Sequence, residues 1–222
     1  MARLSVVRDR IARAGGDPEL VRIVAVTKGF GPEQVAAALA AGLVDLGENY
    51  ADELVSKWEA VGHAGRWHFL GAVQRNKVGR LARLVDCWQA VSRVVEGEAI
   101  MRHRAEMSQN ATGVESPSML VEVDTTGLAG RGGCAPGDVA GLVAGLAQLG
   151  CRVDGLMTVA PPGGEELARR AFDSVARLRE ELGLAELSMG MSGDLEQGVA
   201  AGATMVRLGT CLFGPRPQPR RL

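Results

Sequence analysis

Short apolar runs alternate eight times with segments of helical periodicity along this chain. The runs cover residues 21–30, 43–50, 66–71, 86–92, 118–125, 151–159, 186–192 and 203–210. Strands that alternate with helices through short connections form βαβ units and a parallel sheet. Eight such units favour a closed barrel over an open sheet, and 222 residues lie near the low end of the size range for that fold. We therefore predict an α/β protein with a single (β/α)8 TIM barrel.

An open doubly wound sheet is the alternative architecture for the same alternation. No G-x-G-x-x-G follows the first predicted strand, so a dinucleotide-binding fold lacks its usual signature. Before that strand, Leu4, Val7 and Ile11 lie at helical spacing and predict an extra N-terminal helix. We expect one domain over residues 1–214, followed by a disordered proline- and arginine-rich tail over 215–222.

The overall composition excludes several classes of function. The chain holds 25 Lys+Arg and 26 Asp+Glu, so no basic surface is predicted for nucleic acid or anionic membrane. No stretch approaches about 18 consecutive apolar residues, and the N-terminus lacks the apolar core of a signal peptide. The four cysteines and three histidines show no metal-ligand spacing, which predicts reduced thiols, a cytoplasmic location and no metal site.

Lysine is rare in this chain, because only Lys28, Lys57 and Lys77 among the 25 basic residues are lysine. Lys28 follows an apolar run, where partial burial lowers the pKa of an amine. A neutral amine is the nucleophile that forms a Schiff base, and a guanidinium cannot replace it. The simpler alternative is a lysine that snorkels out of a strand end into solvent.

Other polar residues follow the predicted strands at the end where TIM barrels carry their active sites. They are Glu48, Asn49, His68, Ser192, Arg207, Gly209 and Thr210. Phosphate groups in barrels often bind after strands seven and eight, next to a helix N-terminus. Ser192, Gly209 and Thr210 therefore predict a phosphate site.

Three of these residues also have simpler interpretations. Ser192 has the position of an ordinary helix N-cap. Arg207 alternates with apolar neighbours, so it should point into the barrel, where a salt bridge to a core carboxylate such as Glu48 would satisfy it. His68 lies between two aromatic residues and is also compatible with a hydrogen-bonded core histidine.

Six sets of motifs, in register from about residue 3 to residue 214, resemble the YggS/PROSC family of pyridoxal phosphate homeostasis proteins. They are Ala25-Val-Thr-Lys28, Gly47-Glu-Asn-Tyr50, Trp67-His-Phe-Leu-Gly71 with Gln74-Arg-Asn-Lys77, Gly155-Leu-Met157, Leu187-Ser-Met-Gly-Met-Ser192 and Val206-Arg-Leu-Gly-Thr-Cys-Leu-Phe-Gly214. The resemblance implies a barrel like the N-terminal domain of alanine racemase. It also implies a cofactor, pyridoxal 5′-phosphate (PLP), held as a Schiff base on Lys28.

The resemblance further assigns the rest of the cofactor site. Asn49 would lie beside the cofactor ring, Arg207 would face the pyridine nitrogen, and His68 and Met157 would line the pocket. The phosphate would be held by Ser192, Gly209, Thr210 and backbone near Met191. Such proteins take part in intracellular PLP, or vitamin B6, homeostasis without efficient catalysis of their own. The implied partners are PLP and apo forms of PLP-dependent enzymes, with the chain a monomer or weak dimer.

The sequence departs from the resemblance at a few positions. Gly193 stands where many relatives carry a larger residue, and Arg131 and the tail arginines stand where relatives often have lysine. Any second aldehyde-binding lysine is therefore restricted to Lys57 or Lys77.

Two enzymatic functions compete with a non-catalytic binding role. A PLP-dependent racemase-like enzyme would use the same lysine, but alanine racemases also need a tyrosine from a further domain of the partner subunit. Tyr50 is the chain's single tyrosine, and the chain ends soon after the eighth strand. A lysine-dependent aldolase acting on a sugar phosphate would use the same lysine and phosphate site, but would be colourless when purified.

Overall fold

The computed structural model describes residues 2–108, 116–128 and 130–216, and its parallel strands close into one barrel in chain order. The strands are β1 (Arg22–Val26), β2 (Asp45–Glu48), β3 (Arg66–Phe69), β4 (Cys87–Val91), β5 (Ser118–Glu122), β6 (Arg152–Met157), β7 (Glu186–Ser188) and β8 (Met205–Leu208). The barrel closes where β8 pairs with β1 along four residue pairs. The predicted (β/α)8 fold is therefore confirmed.

Helices follow the strands and surround the barrel. The α-helices of the described residues are α1 (Ala2–Arg13), α2 (Pro32–Ala40), α3 (Ala51–Ala60), α4 (Arg75–Leu81), α5 (Val94–Ser108), α6 (Val139–Gln148), α7 (Glu165–Glu181), α8 (Leu195–Ala200) and α9 (Thr210–Phe213). A 3₁₀ turn, Pro136–Asp138, precedes α6. The predicted N-terminal helix is α1, which packs on α8 and α9 through Leu4, Val7 and Ile11.

The strands are shorter than the sequence suggests. The apolar and β-branched sequence pattern continues past the last residue that pairs with a neighbouring strand. At that point the chain has already turned towards the next helix. Lys28 thus lies in a turn, two residues beyond the end of β1. The short helix α9, after β8, was not predicted. Most of the predicted loop at 109–117 and of the predicted tail lies outside the described residues.

Two layers of side chains pack on opposite sides of the barrel wall. The larger apolar cluster lies between strands and helices and includes Val206 and Leu208. The smaller cluster, inside the barrel, consists of Val24, Cys87, Ala90, Leu120, Met157 and Met205. Arg207 alternates with the two outward residues of β8 and is buried inside, as predicted. The barrel interior therefore combines a few apolar residues with polar groups that must find hydrogen-bond partners.

Within the described ranges, no helix has the length and apolar character needed to cross a membrane. The same ranges contain no group of His, Cys, Asp and Glu arranged to hold a metal ion. The cysteines Cys87, Cys134, Cys151 and Cys211 form no disulfide.

Candidate functional site

A cavity of about 380 Å³ opens at the carboxyl ends of the strands. Most of the residues predicted for the site line it together, although they come from different strands. These are Lys28, Asn49, Met157, Met191, Ser192, Arg207, Gly209 and Thr210. Their convergence follows from the barrel, because the carboxyl ends of all eight strands meet at one face.

Lys28 is half-buried at the rim of this cavity. Burial lowers the pKa of its amine, and the positive charges of Arg216 and Arg207 lower it further, while Glu48 opposes part of the effect. A lowered pKa increases the neutral fraction of the amine near neutral pH. The surroundings of Lys28, apolar walls and two arginine charges, therefore favour the neutral form of its amine.

A buried ion pair supports the turn that carries Lys28. Lys57 is 3% exposed, and its Nζ donates to Glu48 Oε1 (2.6 Å), Glu53 Oε2 (2.8 Å) and the carbonyl of Thr27 (2.7 Å). Glu53 Oε2 also accepts from the backbone N–H of Gly29 (2.8 Å), the residue after Lys28. An ammonium has three N–H donors, and all three are used here. Lys57 therefore has a structural role in this turn.

Arg207 crosses the interior of the barrel towards the cavity. Its Nη1 donates to the carbonyl (2.7 Å) and the hydroxyl (2.8 Å) of Ser188, and its Nη2 donates to the carbonyl of Thr158 (2.7 Å). Within the described residues no carboxylate pairs with Arg207, so the salt bridge to Glu48 that was the simpler interpretation does not form. Burial lowers the pKa of Arg207 to about 10, which leaves the group charged at neutral pH.

The Nε–H and one Nη2–H of Arg207 make no hydrogen bond among the residues that the structure describes. Arg207 is 5% exposed, and its hydrogen-bonded acceptors are neutral oxygens, while the carboxylates of Asp194 and Glu122 act on its charge without forming an ion pair. Burial of a charge without a counter-charge is costly. A ligand that carries an acceptor and a negative charge would reduce that cost.

The segments after β7 and β8 are joined to each other and to α1. Ser192 Oγ accepts from the backbone N–H of Cys211 (3.2 Å), so it joins the loop after β7 to α9 and does not cap α8. Arg10 donates to the carbonyl of Ser192 (3.2 Å) and forms an ion pair with Glu196 in α8 (2.6 Å). Because Ser192 Oγ accepts in this bond, its O–H remains available to a ligand. Arg10, which sequence reasoning did not identify, holds the loop in place.

The prediction that His68 lines this pocket is wrong. His68 is 1% exposed and lies between Asp45, whose Oδ1 is 2.8 Å from Nε2, and Gln89, whose Nε2 is 2.8 Å from Nδ1. It borders a separate cavity of about 160 Å³, formed mainly by residues at the amino ends of the strands, such as Arg66 and Cys87. The simpler interpretation, a hydrogen-bonded core histidine, is the one that the structure supports.

Burial alone would lower the pKa of His68. The Cys87 sulfur and the Asp45 carboxylate oppose this effect and raise the pKa to about 9. The depth of a residue along a barrel depends on the tilt and stagger of the strands, which explains why His68 was assigned to the wrong end.

Two charged residues of the cavity were missed. Arg216 follows α9 and lies two residues after Gly214, the C-cap of that helix. It lines the cavity and contributes to the lowered pKa of Lys28. Glu122, at the end of β5, also lines it, and burial raises the pKa of this carboxyl group. Glu122 was detectable as the polar end of a predicted strand, whereas the tail around Arg216 has no regular pattern.

Basic residues outnumber acidic residues in the lining of the cavity. Among the described residues, Lys28, Arg207 and Arg216 contribute three basic groups, and Glu122 contributes one acidic group. Low-dielectric walls strengthen such a field relative to water. The site therefore favours an anionic ligand that reacts with, or hydrogen-bonds to, a neutral amine.

Comparison with known proteins gives consistent matches over almost the whole chain. The family model for the alanine racemase N-terminal domain matches residues 4–217. A pyridoxal phosphate homeostasis protein of Deinococcus radiodurans is 38% identical over 213 residues, covering 96% of this chain and 98% of that protein. A protein of the same name from Pseudomonas aeruginosa is 37% identical over 217 residues, covering 95% of this chain and 91% of the relative.

A solved structure with PLP bound is also similar. It is PipY of Synechococcus elongatus, which is 30% identical to this chain, with a TM-score of 0.76 and coverage of 94% of this chain and 100% of PipY. The structure of PipY without PLP has a TM-score of 0.80 at the same identity and coverage.

Proposed function

This chain belongs to the alanine racemase N-terminal domain family and, within it, to the pyridoxal phosphate homeostasis proteins, and on that premise we propose that it binds PLP as a Schiff base on Lys28. The observation that carries the proposal is the cavity in which a half-buried lysine of lowered pKa faces a guanidinium and a rim of hydroxyl groups. PLP has an aldehyde for the amine and a phosphate for the positively charged surroundings.

The residues of the site fit each part of this cofactor. The neutral amine of Lys28 adds to an aldehyde carbon, a C=N bond replaces the C=O bond, and one water molecule leaves. The free O–H of Ser192 and the hydroxyl of Thr210 are donors for phosphate oxygens. An added Cβ at Gly193 would have no neighbour within 4 Å, so the backbone faces open space there. Glycine at that position leaves room for an anion beside the loop.

Arg207 defines what the site does with the cofactor. When bound, PLP supplies an electron sink for amino-acid chemistry, strongest when its ring nitrogen is protonated. The unpaired N–H groups of Arg207 are donors, and a positive guanidinium disfavours a second positive charge beside it. With Arg207 at the ring nitrogen, the site stabilises an unprotonated ring and binds the cofactor without efficient carbanion chemistry.

Purified protein mixed with PLP is the first test. We expect a near-visible imine band that borohydride removes by reducing the C=N bond, and peptide mapping that finds the added mass on the Lys28 peptide. Pyridoxal without the phosphate is the matched control ligand and should bind more weakly. Absence of any band at saturating PLP would reject the proposal and favour the sugar-phosphate aldolase.

A racemase assay tests the proposed lack of catalysis. Loaded protein incubated with L-alanine in deuterated water should show no Cα deuterium exchange above that of free PLP, because Arg207 disfavours the protonated ring. Turnover that disappears in Lys28→Ala would instead establish the racemase-like enzyme. Exchange that persists unchanged in Lys28→Ala would come from free cofactor.

The biological role follows from the same proposal. A protein that holds PLP reversibly without consuming it serves to store the cofactor or transfer it to apo enzymes in the cytoplasm. The recipients, the cytoplasmic location and the monomeric or weakly dimeric state remain predictions.

A further inference from the structure

A chain of buried hydrogen bonds crosses the barrel interior from the candidate cofactor cavity to the cavity at the opposite end. Arg207 Nη1 donates to Ser188 Oγ (2.8 Å), and Ser188 Oγ donates to Gln89 Oε1 (2.6 Å). Gln89 Nε2 lies 2.8 Å from His68 Nδ1, and His68 Nε2 lies 2.8 Å from Asp45 Oδ1. Every member is at most 6% exposed.

The bonds have one direction along the chain, starting from Arg207. Arg207 has only donors, so Ser188 Oγ accepts from it, and the Ser188 hydroxyl proton must point elsewhere. Gln89 Oε1 receives that proton, which leaves the Gln89 amide N–H groups facing His68. This arrangement is that of the neutral ring, which forms above the pKa of His68: Nδ1 is an acceptor, and the single ring proton lies on Nε2, directed at Asp45.

A second proton on His68 is incompatible with that arrangement. It would sit on Nδ1, where two N–H donors would then meet at 2.8 Å. The Gln89 amide would have to turn over and present its N–H groups to Ser188 Oγ. The Ser188 hydroxyl would then lose its acceptor, and the contact that holds Arg207 would change. Protonation at one end of the barrel therefore alters hydrogen bonding at the other.

We propose that Gln89 is a positioning residue for Arg207, and that it couples the protonation of His68 to the placement of the guanidinium at the cofactor cavity. The part of this inference that concerns PLP rests on the proposed function, whereas the coupling itself does not. The titratable and charged groups that share the His68 cavity are Arg22, Arg66, Asp86, Cys87, Arg104, Arg152, Asp154 and Glu186. Asp45 hydrogen-bonds to the ring from outside this set, and Cys87 also hydrogen-bonds to it, so both favour the second proton.

The coupling is tested first in protein without PLP, by NMR titration from pH 6 to 11. His68 ring nitrogens and the Arg207 Nε–H are the two observed signals, assigned with His68→Gln and Arg207→Lys. In the wild type we expect the Arg207 signal to show a step at the His68 midpoint, separate from its own titration near pH 10. An Arg207 signal that stays constant through the His68 midpoint would overturn the proposal.

Two substitutions at Gln89 separate a positioning role from a merely structural one. Gln89→Leu removes the connection, so His68 should still titrate while the step in the Arg207 signal disappears. In Gln89→Glu the new carboxylate accepts from both Ser188 and protonated His68 without turning over. We expect that variant to raise the His68 midpoint by about one pH unit or more and to hold the Arg207 signal in its wild-type high-pH position.

Gln148→Leu, at an exposed position of α6, is the matched control and should behave as the wild type. Thermal unfolding of each variant checks that it is folded. If Gln89→Leu does not fold, the result for Gln89→Glu alone decides whether Gln89 positions Arg207. A step that persists in either Gln89 variant, at the His68 midpoint, would disprove the role of Gln89.

Loaded protein supplies the readout that depends on the proposed function. The imine band should change at the His68 midpoint in the wild type and not in Gln89→Leu. Failure of the wild type to form any imine band would count against PLP binding only, since the NMR titration of Arg207 decides the coupling independently. A wild-type band that forms but is unaffected at that midpoint would show that the coupling does not reach the cofactor.

Discussion

Lys28→Ala is expected to abolish the imine band and the borohydride-dependent attachment of PLP, while the barrel remains folded. Lys28 lies in a turn beyond β1 and makes no side-chain hydrogen bond among the described residues, so its removal leaves no buried partner unsatisfied. Without the covalent bond, PLP keeps only its polar contacts in the cavity. We expect affinity to fall by about 100-fold or more, which corresponds to roughly 3 kcal/mol. Absorption titration and equilibrium dialysis measure the two effects.

Two further variants identify the origin of that loss. Lys28→Arg keeps the positive charge but cannot form an imine, so it should lose the band as completely as Lys28→Ala and retain more of the non-covalent affinity. Lys77→Ala, in α4, removes a half-buried lysine outside this cavity and should keep the band. A borohydride-fixed adduct that survives in Lys28→Ala would place the attachment site at another amine, and Lys77 would be the first to examine.

The second large effect is expected from Lys57→Met, which should lower the free energy of unfolding by about 3–5 kcal/mol. The substitution removes three hydrogen bonds and leaves the fully buried Glu48 without its cationic partner. For a domain of this size each kcal/mol corresponds to roughly 2–4 °C in Tm, so a decrease of about 6–20 °C is expected. Thermal and urea unfolding measure it. Lys77→Met is the matched control and should change Tm little.

The loss in Lys57→Met should depend on pH with a definite sign. Burial already raises the pKa of Glu48, even though Lys57 and Thr27 lower it, and removal of Lys57 raises it further. A folded state that holds the extra proton loses stability as pH rises from the unfolded pKa to the folded pKa. The destabilisation should therefore be smaller at pH 5 than at pH 8.

Adding a substitution at Glu48 to Lys57→Met tests whether the unpaired charge of Glu48 causes the loss of stability. Glu48→Gln combined with Lys57→Met removes the unpaired charge, so it should recover part of the stability and lose most of the pH dependence. A destabilisation of Lys57→Met that is equal at pH 5 and pH 8 would show that packing, and not the charge of Glu48, accounts for the effect.

Some features of the site were predictable because they depend on local pattern. The period-two alternation in β8 places Arg207 inside the barrel, since Val206 and Leu208 must face the helices. Lys28 was recognisable as the polar end of an apolar run in a chain that otherwise uses arginine. Neither inference needs any knowledge of which residues lie across the barrel.

Other features depend on contacts between residues that are distant in the chain. Ser192 bonds to Cys211 and does not cap α8, and Arg10 of α1 secures the same loop. Glu48 forms an ion pair with Lys57, whereas Arg207 donates hydrogen bonds to Ser188 and Thr158. Each of these partners is at least nine residues away in the chain, where sequence spacing carries no information on direction or distance.

The sequence by itself determined the (β/α)8 class, the N-terminal helix, and a lysine and an arginine at the active face, because burial imposes the periods of strands and helices locally. Only the tertiary structure decided how deep each side chain lies along the barrel axis. That depth follows from strand tilt and stagger, which local periodicity does not encode. Because of this depth, His68 lies at the opposite end of the barrel from the candidate cofactor cavity. The same depth aligns Asp45, His68, Gln89 and Ser188 in the chain of buried hydrogen bonds that ends at Arg207.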